Sequence, residues 1–160
     1  MPGAFYPRTI PEIPMKLTGK SILAILAAGV WITLSEFLRN ELLLKSLWTE
    51  HYAALGMTFP SEAVNGIVWM LWSFCYAAAL YVISRKFTLT LTFFLGWFVG
   101  FVLMWLVIGN MNVLPDGLLL CAIPLSLLEA YLAVYLIVRI APRAAPSQDT
   151  LLHRERENAN

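Results

Sequence analysis

Glu129 is the residue of this chain whose type is hardest to reconcile with its neighbours. It stands inside the apolar run 117–138, which is otherwise free of charge. Counting 1.5 Å per helical residue, it lies about 20 Å from Asp116 and about 15 Å from Arg139. In a helix that crosses a bilayer this is close to the midplane. A charged side chain there costs on the order of 2.5–3.5 kcal/mol on insertion scales. Two readings justify that cost. Glu129 is a proton or cation site, or it is a hydrogen-bonded carboxyl that holds helices together.

A second group follows the first apolar run. Glu36 lies about 24 Å along a helix from Lys20, and Arg39 is one turn further on, with Asn40 on the same face as Glu36. Glu36, Arg39 and Asn40 join Glu129 as a candidate intramembrane polar site. On the same counting Arg39 sits about 13 Å beyond Glu129, too far for direct contact without tilt or water. Further polar residues cluster at the same end: His51, Asn65, Asn110, Asn112 and Asp116, with Glu41. They form a candidate vestibule for a small polar group or lipid headgroup, or else an ordinary solvated helix end. Gly96 and Gly100 make a GxxxG pair, which lets another backbone approach closely and marks a helix-packing interface within the bundle or between subunits. The aromatics Trp72, Trp97 and Phe98 suit packing, lipid contact or a groove for a hydrophobic ligand.

No catalytic constellation accompanies these residues. The chain has no GxGxxG, P-loop, HExxH or GxSxG motif. The two cysteines, Cys75 and Cys121, fall within apolar runs without CxxC spacing and read as small packing residues. The two histidines, His51 and His153, lie outside the spans, which excludes haem ligation by a histidine pair within one chain. No metal and no cofactor is expected, and the balance leans away from an enzyme. The eleven Lys and Arg residues form no basic stripe, so nucleic acid is excluded as a partner.

The elements that must position these residues are apolar and long. Hydrophobic residues make up 59% of the sequence, charged residues 13%, and the mean hydropathy is +0.71. A soluble domain carries about 25% charged residues. Four runs each approach the roughly 20 residues that cross about 30 Å of hydrocarbon. The expected helices are 20–46, 64–84, 87–109 and 117–140. Before them lies a proline-rich arm, 1–19, and after them a polar, disordered tail, 141–160. The first run has no small-residue cleavage site and reads as a retained helix.

Nine of the eleven cations lie on one side of this arrangement: Arg8, Lys16, Lys20, Arg85, Lys86, Arg139, Arg143, Arg154 and Arg156. The positive-inside rule then places both termini in the cytoplasm. The expected fold is all-α, a polytopic inner-membrane protein built as an antiparallel four-helix transmembrane bundle. Its partners are the lipid bilayer and either further copies of itself or a larger membrane complex. The leading functional expectation is an oligomeric transporter or channel-type protein for a small solute or ion. A non-catalytic accessory or assembly subunit, and an enzyme acting on lipid at the outer surface through Glu36, Arg39 and His51, are the alternatives.

Overall fold

The computed structural model describes residues 17–143. Most of the N-terminal arm and the tail from 144, with His153, lie outside the described residues. Within them the chain is all helical. Helix α1 (Gly19–Phe37) continues through a π-helical turn, Leu38–Leu43, and α2 (Lys45–Ala54) follows at an angle set by Leu44. Helix α3 is Ala63–Lys86. Helices α4 (Leu89–Trp97) and α5 (Leu103–Asn110) are one rod with a second π-helical turn, Phe98–Val102, between them. Helix α6 is Leu118–Ile140.

Four rods are long and apolar enough to cross a membrane: Gly19–Leu43, Ala63–Lys86, Leu89–Asn110 and Leu118–Ile140. They form an antiparallel bundle in which α1 packs on α3 and α6, and α4 packs on both of those. Leucines, valines and isoleucines such as Leu26, Val30, Val68, Leu71 and Leu106 are exposed around the bundle. In water that surface would be a large unsatisfied apolar patch; in a bilayer it is the lipid face. The chain is a multi-pass membrane protein.

Small residues line the contacts between rods. Ala24, Ala28 and Gly29 of α1, Ala77 of α3, and Ala122, Ser126, Ala130 and Ala133 of α6 are all buried. With lipid tails as apolar as leucine, close backbone approach supplies the packing energy that the hydrophobic effect supplies in water. Larger side chains fill the remaining interior: Ile32, Leu80, Phe101, Val134 and Ile137.

Local chemistry sets the rod ends. Thr18 Oγ1 accepts from the Ser21 amide, and Ser21 Oγ accepts from the Thr18 amide, so a reciprocal cap opens α1. Ser21 Oγ also accepts from Tyr81 OH at 2.7 Å, which pins α1 to α3. Arg85 and Lys86 form the last turn of α3 rather than the turn after it; the connection is Phe87-Thr88, and Thr88 caps α4. Cations are favoured at a helix C-terminus, and Arg85 Nη2 donates to the carbonyl of Ala141 at 2.8 Å. Arg143 Nε donates to the Ser84 carbonyl at 2.7 Å. These two arginines brace α3 against α6.

Two further expectations are corrected. The first helix does not run unbroken to residue 46: Leu44, at φ −115° and ψ 8°, ends it, and α2 restarts at Lys45. The cysteines are not core packing residues either. Cys75 and Cys121 are both exposed, Cys75 in a groove between α3 and the α4–α5 rod.

Candidate functional site

Glu129 is the middle residue of the 23-residue helix α6. It is 1% exposed. Arg39 Nη1 donates to Glu129 Oε2 at 2.9 Å, and Arg39 Nη2 donates to Glu36 Oε1. One guanidinium therefore bridges two carboxyls from two rods. Arg39 is 5% and Glu36 6% exposed, so the whole triad is withdrawn from bulk water.

The direct Arg39–Glu129 contact overturns the expected separation of about 13 Å. Counting rise along each axis ignores where side chains point. A helical side chain leans toward its own N-terminus. In antiparallel α1 and α6 those leanings oppose, so Arg39 reaches down the bundle while Glu129 reaches up it. The long arginine stem closes the remainder. The level of the two helices is set independently by Trp31, whose Nε1 donates to the Glu129 carbonyl oxygen at 3.0 Å.

The network extends outward from Glu36. Asn40 Nδ2 donates to Glu36 Oε2 at 2.7 Å, and Trp48 Nε1 donates to Asn40 Oδ1 at 3.1 Å. Both carboxyl oxygens of Glu36 are thus satisfied. Glu129 differs. Its Oε1 is buried with no hydrogen-bond partner among the described residues, and so is the hydroxyl of Tyr76. A buried unsatisfied polar atom costs about 1–3 kcal/mol.

Below the guanidinium lies Phe101, its ring centroid 5.1 Å from Arg39 Cζ. Phe101 in turn packs edge-on against Tyr76 and Trp72. Arg39 and Phe101 each occupy a π-helical turn, and each is the buried residue of its turn. A π turn carries one extra residue and re-aims the side chains within it, which is why such turns recur at functional sites. Here two of them, on rods far apart in sequence, present their side chains to each other.

A cavity of about 460 Å³ opens above this triad. Glu36, Arg39 and Asn40 line it, as do Glu41, Glu62 and Asn65. Of the five residues expected in the vestibule, Asn65 takes that place. His51 does not line the cavity; its Nε2 lies 3.1 Å from the carbonyl oxygen of Asn112, which ties α2 to the turn after α5. Asn110, the last residue of α5, and Asn112 and Asp116 of that turn also stand clear of the cavity. Asn112 has φ 57°, a left-handed conformation that asparagine tolerates, so its presence there has a backbone reason. Among the described residues no group of His, Cys, Asp and Glu is placed to hold a metal ion.

Gly96 and Gly100 face α3 of the same chain. A Cβ on Gly96 would lie 2.2 Å from Leu80 Cδ2, and one on Gly100 would lie 2.7 Å from Tyr76 Cε2. The close approach that this glycine pair permits is used inside the bundle. Trp97 is bound in the same region, its Nε1 donating to Ser126 Oγ at 3.0 Å. Trp72, by contrast, lines a second, apolar groove of about 550 Å³ between α3 and the α4–α5 rod.

Sequence reading brought forward Glu129, Glu36, Arg39 and Asn40, and these four do meet. It missed Phe101 and Tyr76, which are apolar-run aromatics with nothing in their spacing to distinguish them. Fold and site together define a four-helix membrane protein with a buried Glu–Arg–Glu bridge under a cavity open at one end. Comparison with known protein families, with curated proteins and with solved structures gives no match.

Proposed function

We propose that this chain is a small inner-membrane transporter that works as an oligomer. Both termini are cytoplasmic in this reading, and the cavity above Glu36 and Arg39 opens to the outside. The observation that carries it is the bridge itself. Glu36, Arg39 and Glu129 offer two carboxyls to one guanidinium, at the floor of a cavity of about 460 Å³, and one carboxyl oxygen remains unpartnered. With both carboxyls ionised the triad carries one uncompensated negative charge. Burial makes that expensive, so the triad holds a proton or takes a cation. A cation arriving at Glu36 competes with Arg39 for the carboxyls, and a guanidinium held between two partners has two places to go. That is the exchange a coupled carrier needs.

Charge supports the orientation in this reading. Among the described residues Lys20, Arg85, Lys86, Arg139 and Arg143 gather at the closed end, and positive loops face the cytoplasm. Cover supports oligomerisation in this reading. In the span Leu89–Asn110 only 17% of the most apolar stretch is buried, against 39% in Leu118–Ile140, so the α4–α5 rod has the most free surface for a second copy.

The test is flux through reconstituted vesicles under imposed gradients of proton, sodium, potassium and small organic cations. Wild type moves at least one of them, and Glu129→Gln lowers that flux at least about ten-fold while the protein still folds. Unchanged flux in Glu129→Gln overturns the site assignment, and no flux in wild type overturns transport. Native mass spectrometry of the protein taken from its own membrane then reads a homo-oligomer. A foreign chain in fixed ratio would replace this reading with that of an accessory subunit.

A further inference from the structure

The walls of the cavity have a chemistry of their own, distinct from the bridge at its floor. Trp48 and Tyr52 of α2 and Phe59 of the following connector pack on one another, with ring centroids 5.4–6.4 Å apart. Trp69 of α3, Trp105 of α5 and Phe37 at the end of α1 complete the aromatic part of the lining. Six aromatic rings therefore surround a space whose floor holds Glu36, bound to Arg39 and Asn40, with Glu62 and Glu41 at the rim. Three carboxyls and one guanidinium are the charged groups of this lining.

Arg39 is already committed. Its guanidinium bridges Glu36 and Glu129 and lies over Phe101, so it has little to offer an incoming anion. An anion would also meet the carboxyls at both floor and rim. A neutral polar solute would leave the charge of the triad uncompensated whenever the triad holds no proton. An organic ammonium ion fits all three parts. Its apolar methyl or methylene groups lie on ring faces, whose quadrupoles attract a cation, and its charge faces Glu36. A volume of about 460 Å³ falls in the range of small-molecule sites, larger than a bare metal ion requires.

We propose that the cavity is a binding site for small organic ammonium ions, with Trp48, Tyr52, Phe59, Trp69 and Trp105 as its walls and Glu36 as the counter-charge. The movement of that ion across the membrane rests on the transport reading; its binding does not.

The experiment uses the full chain in nanodiscs of phosphatidylglycerol, which carry no ammonium headgroup. Choline is titrated against tryptophan fluorescence and by calorimetry. Its neutral isostere 3,3-dimethylbutan-1-ol, of the same shape without the charge, is titrated in parallel. Choline binds saturably and the isostere at least about ten-fold more weakly. Phe59→Leu weakens choline by about 3- to 30-fold, the range that the loss of a cation–π contact gives. Glu62→Gln, at the exposed rim, weakens it less and reduces its salt dependence. Equal binding of the isostere overturns the proposal, as does no binding of choline to protein whose helical circular dichroism is intact. Choline binding that vanishes in phosphatidylcholine nanodiscs would make a lipid headgroup the occupant and overturn the free solute. The two readings fail separately. Choline binding without any flux leaves this proposal standing and removes transport, whereas flux of an inorganic cation without choline binding does the reverse.

Discussion

Arg39 is the residue on which the interior depends. Breaking a buried ion pair by removing one partner costs about 3–5 kcal/mol, because the other charge stays buried without compensation. Removing Arg39 strands two carboxyls side by side. Arg39→Met keeps the stem volume and deletes the charge, and thermal unfolding in detergent should register a loss in that range. Adding Glu36→Gln and Glu129→Gln to the same protein should restore more than half of it, since three neutral groups replace an unpaired pair of acids. A neutral outcome for Arg39→Met alone would show that the bridge does not hold the helices. The members of this bridge were legible in the sequence, because charges within apolar runs are rare and conspicuous. Their contact was not. It depends on the opposed lean of side chains on antiparallel helices and on the reach of arginine, and neither shows in a count of residues along one axis.

At the scale of elements, the glycines of the α4–α5 rod give a graded test of packing against α3. Both positions are too close for a methyl group, but the obstacles differ. Gly96 meets the terminal methyl of Leu80, which can rotate. Gly100 meets the ring of Tyr76, with Cε2, Cζ and Oη all within 3.0 Å of the added atom. That ring is stacked on Trp72 at 5.1 Å and edge-on to Phe101 at 5.7 Å, so it has no easy retreat. Overpacking costs about 1–3 kcal/mol. Gly100→Ala should fall toward the upper end and Gly96→Ala toward the lower, by thermal unfolding. Gly100→Ala should also shift the fluorescence of Trp72. Equal effects at the two positions would contradict the rigidity assigned to Tyr76. The rods themselves were legible, since four apolar runs of bilayer length admit few other arrangements. The π-helical turns were not. One extra residue in a turn leaves hydropathy and length almost unchanged, and Phe98–Val102 reads as plain helix until Phe101 is found beneath Arg39.

The whole molecule is polarised. Among the described residues the acids Glu41, Glu50, Glu62 and Asp116 stand at the end that carries the cavity, with Lys45 paired to Glu41 at 2.7 Å. Lys20, Arg85, Lys86, Arg139 and Arg143 stand at the other end, with no acid among them. Such a dipole of charge acts twice. Under the positive-inside rule it favours insertion with the acidic end outward, and at the cavity mouth it favours cations over anions. The first effect requires the acidic end to face outward, which single-cysteine labelling can establish. Cys75→Ala and Cys121→Ala remove the two exposed native thiols and give a clean background. In that background Glu50→Cys on α2 and Lys86→Cys at the end of α3 each place one thiol at an exposed position at opposite ends. A membrane-impermeant maleimide applied to intact cells should label Glu50→Cys fully and Lys86→Cys only after lysis. The opposite pattern would turn the cavity toward the cytoplasm. The proposed organic-cation site would then be loaded from inside, and the proposed transport would run from the cytoplasmic side.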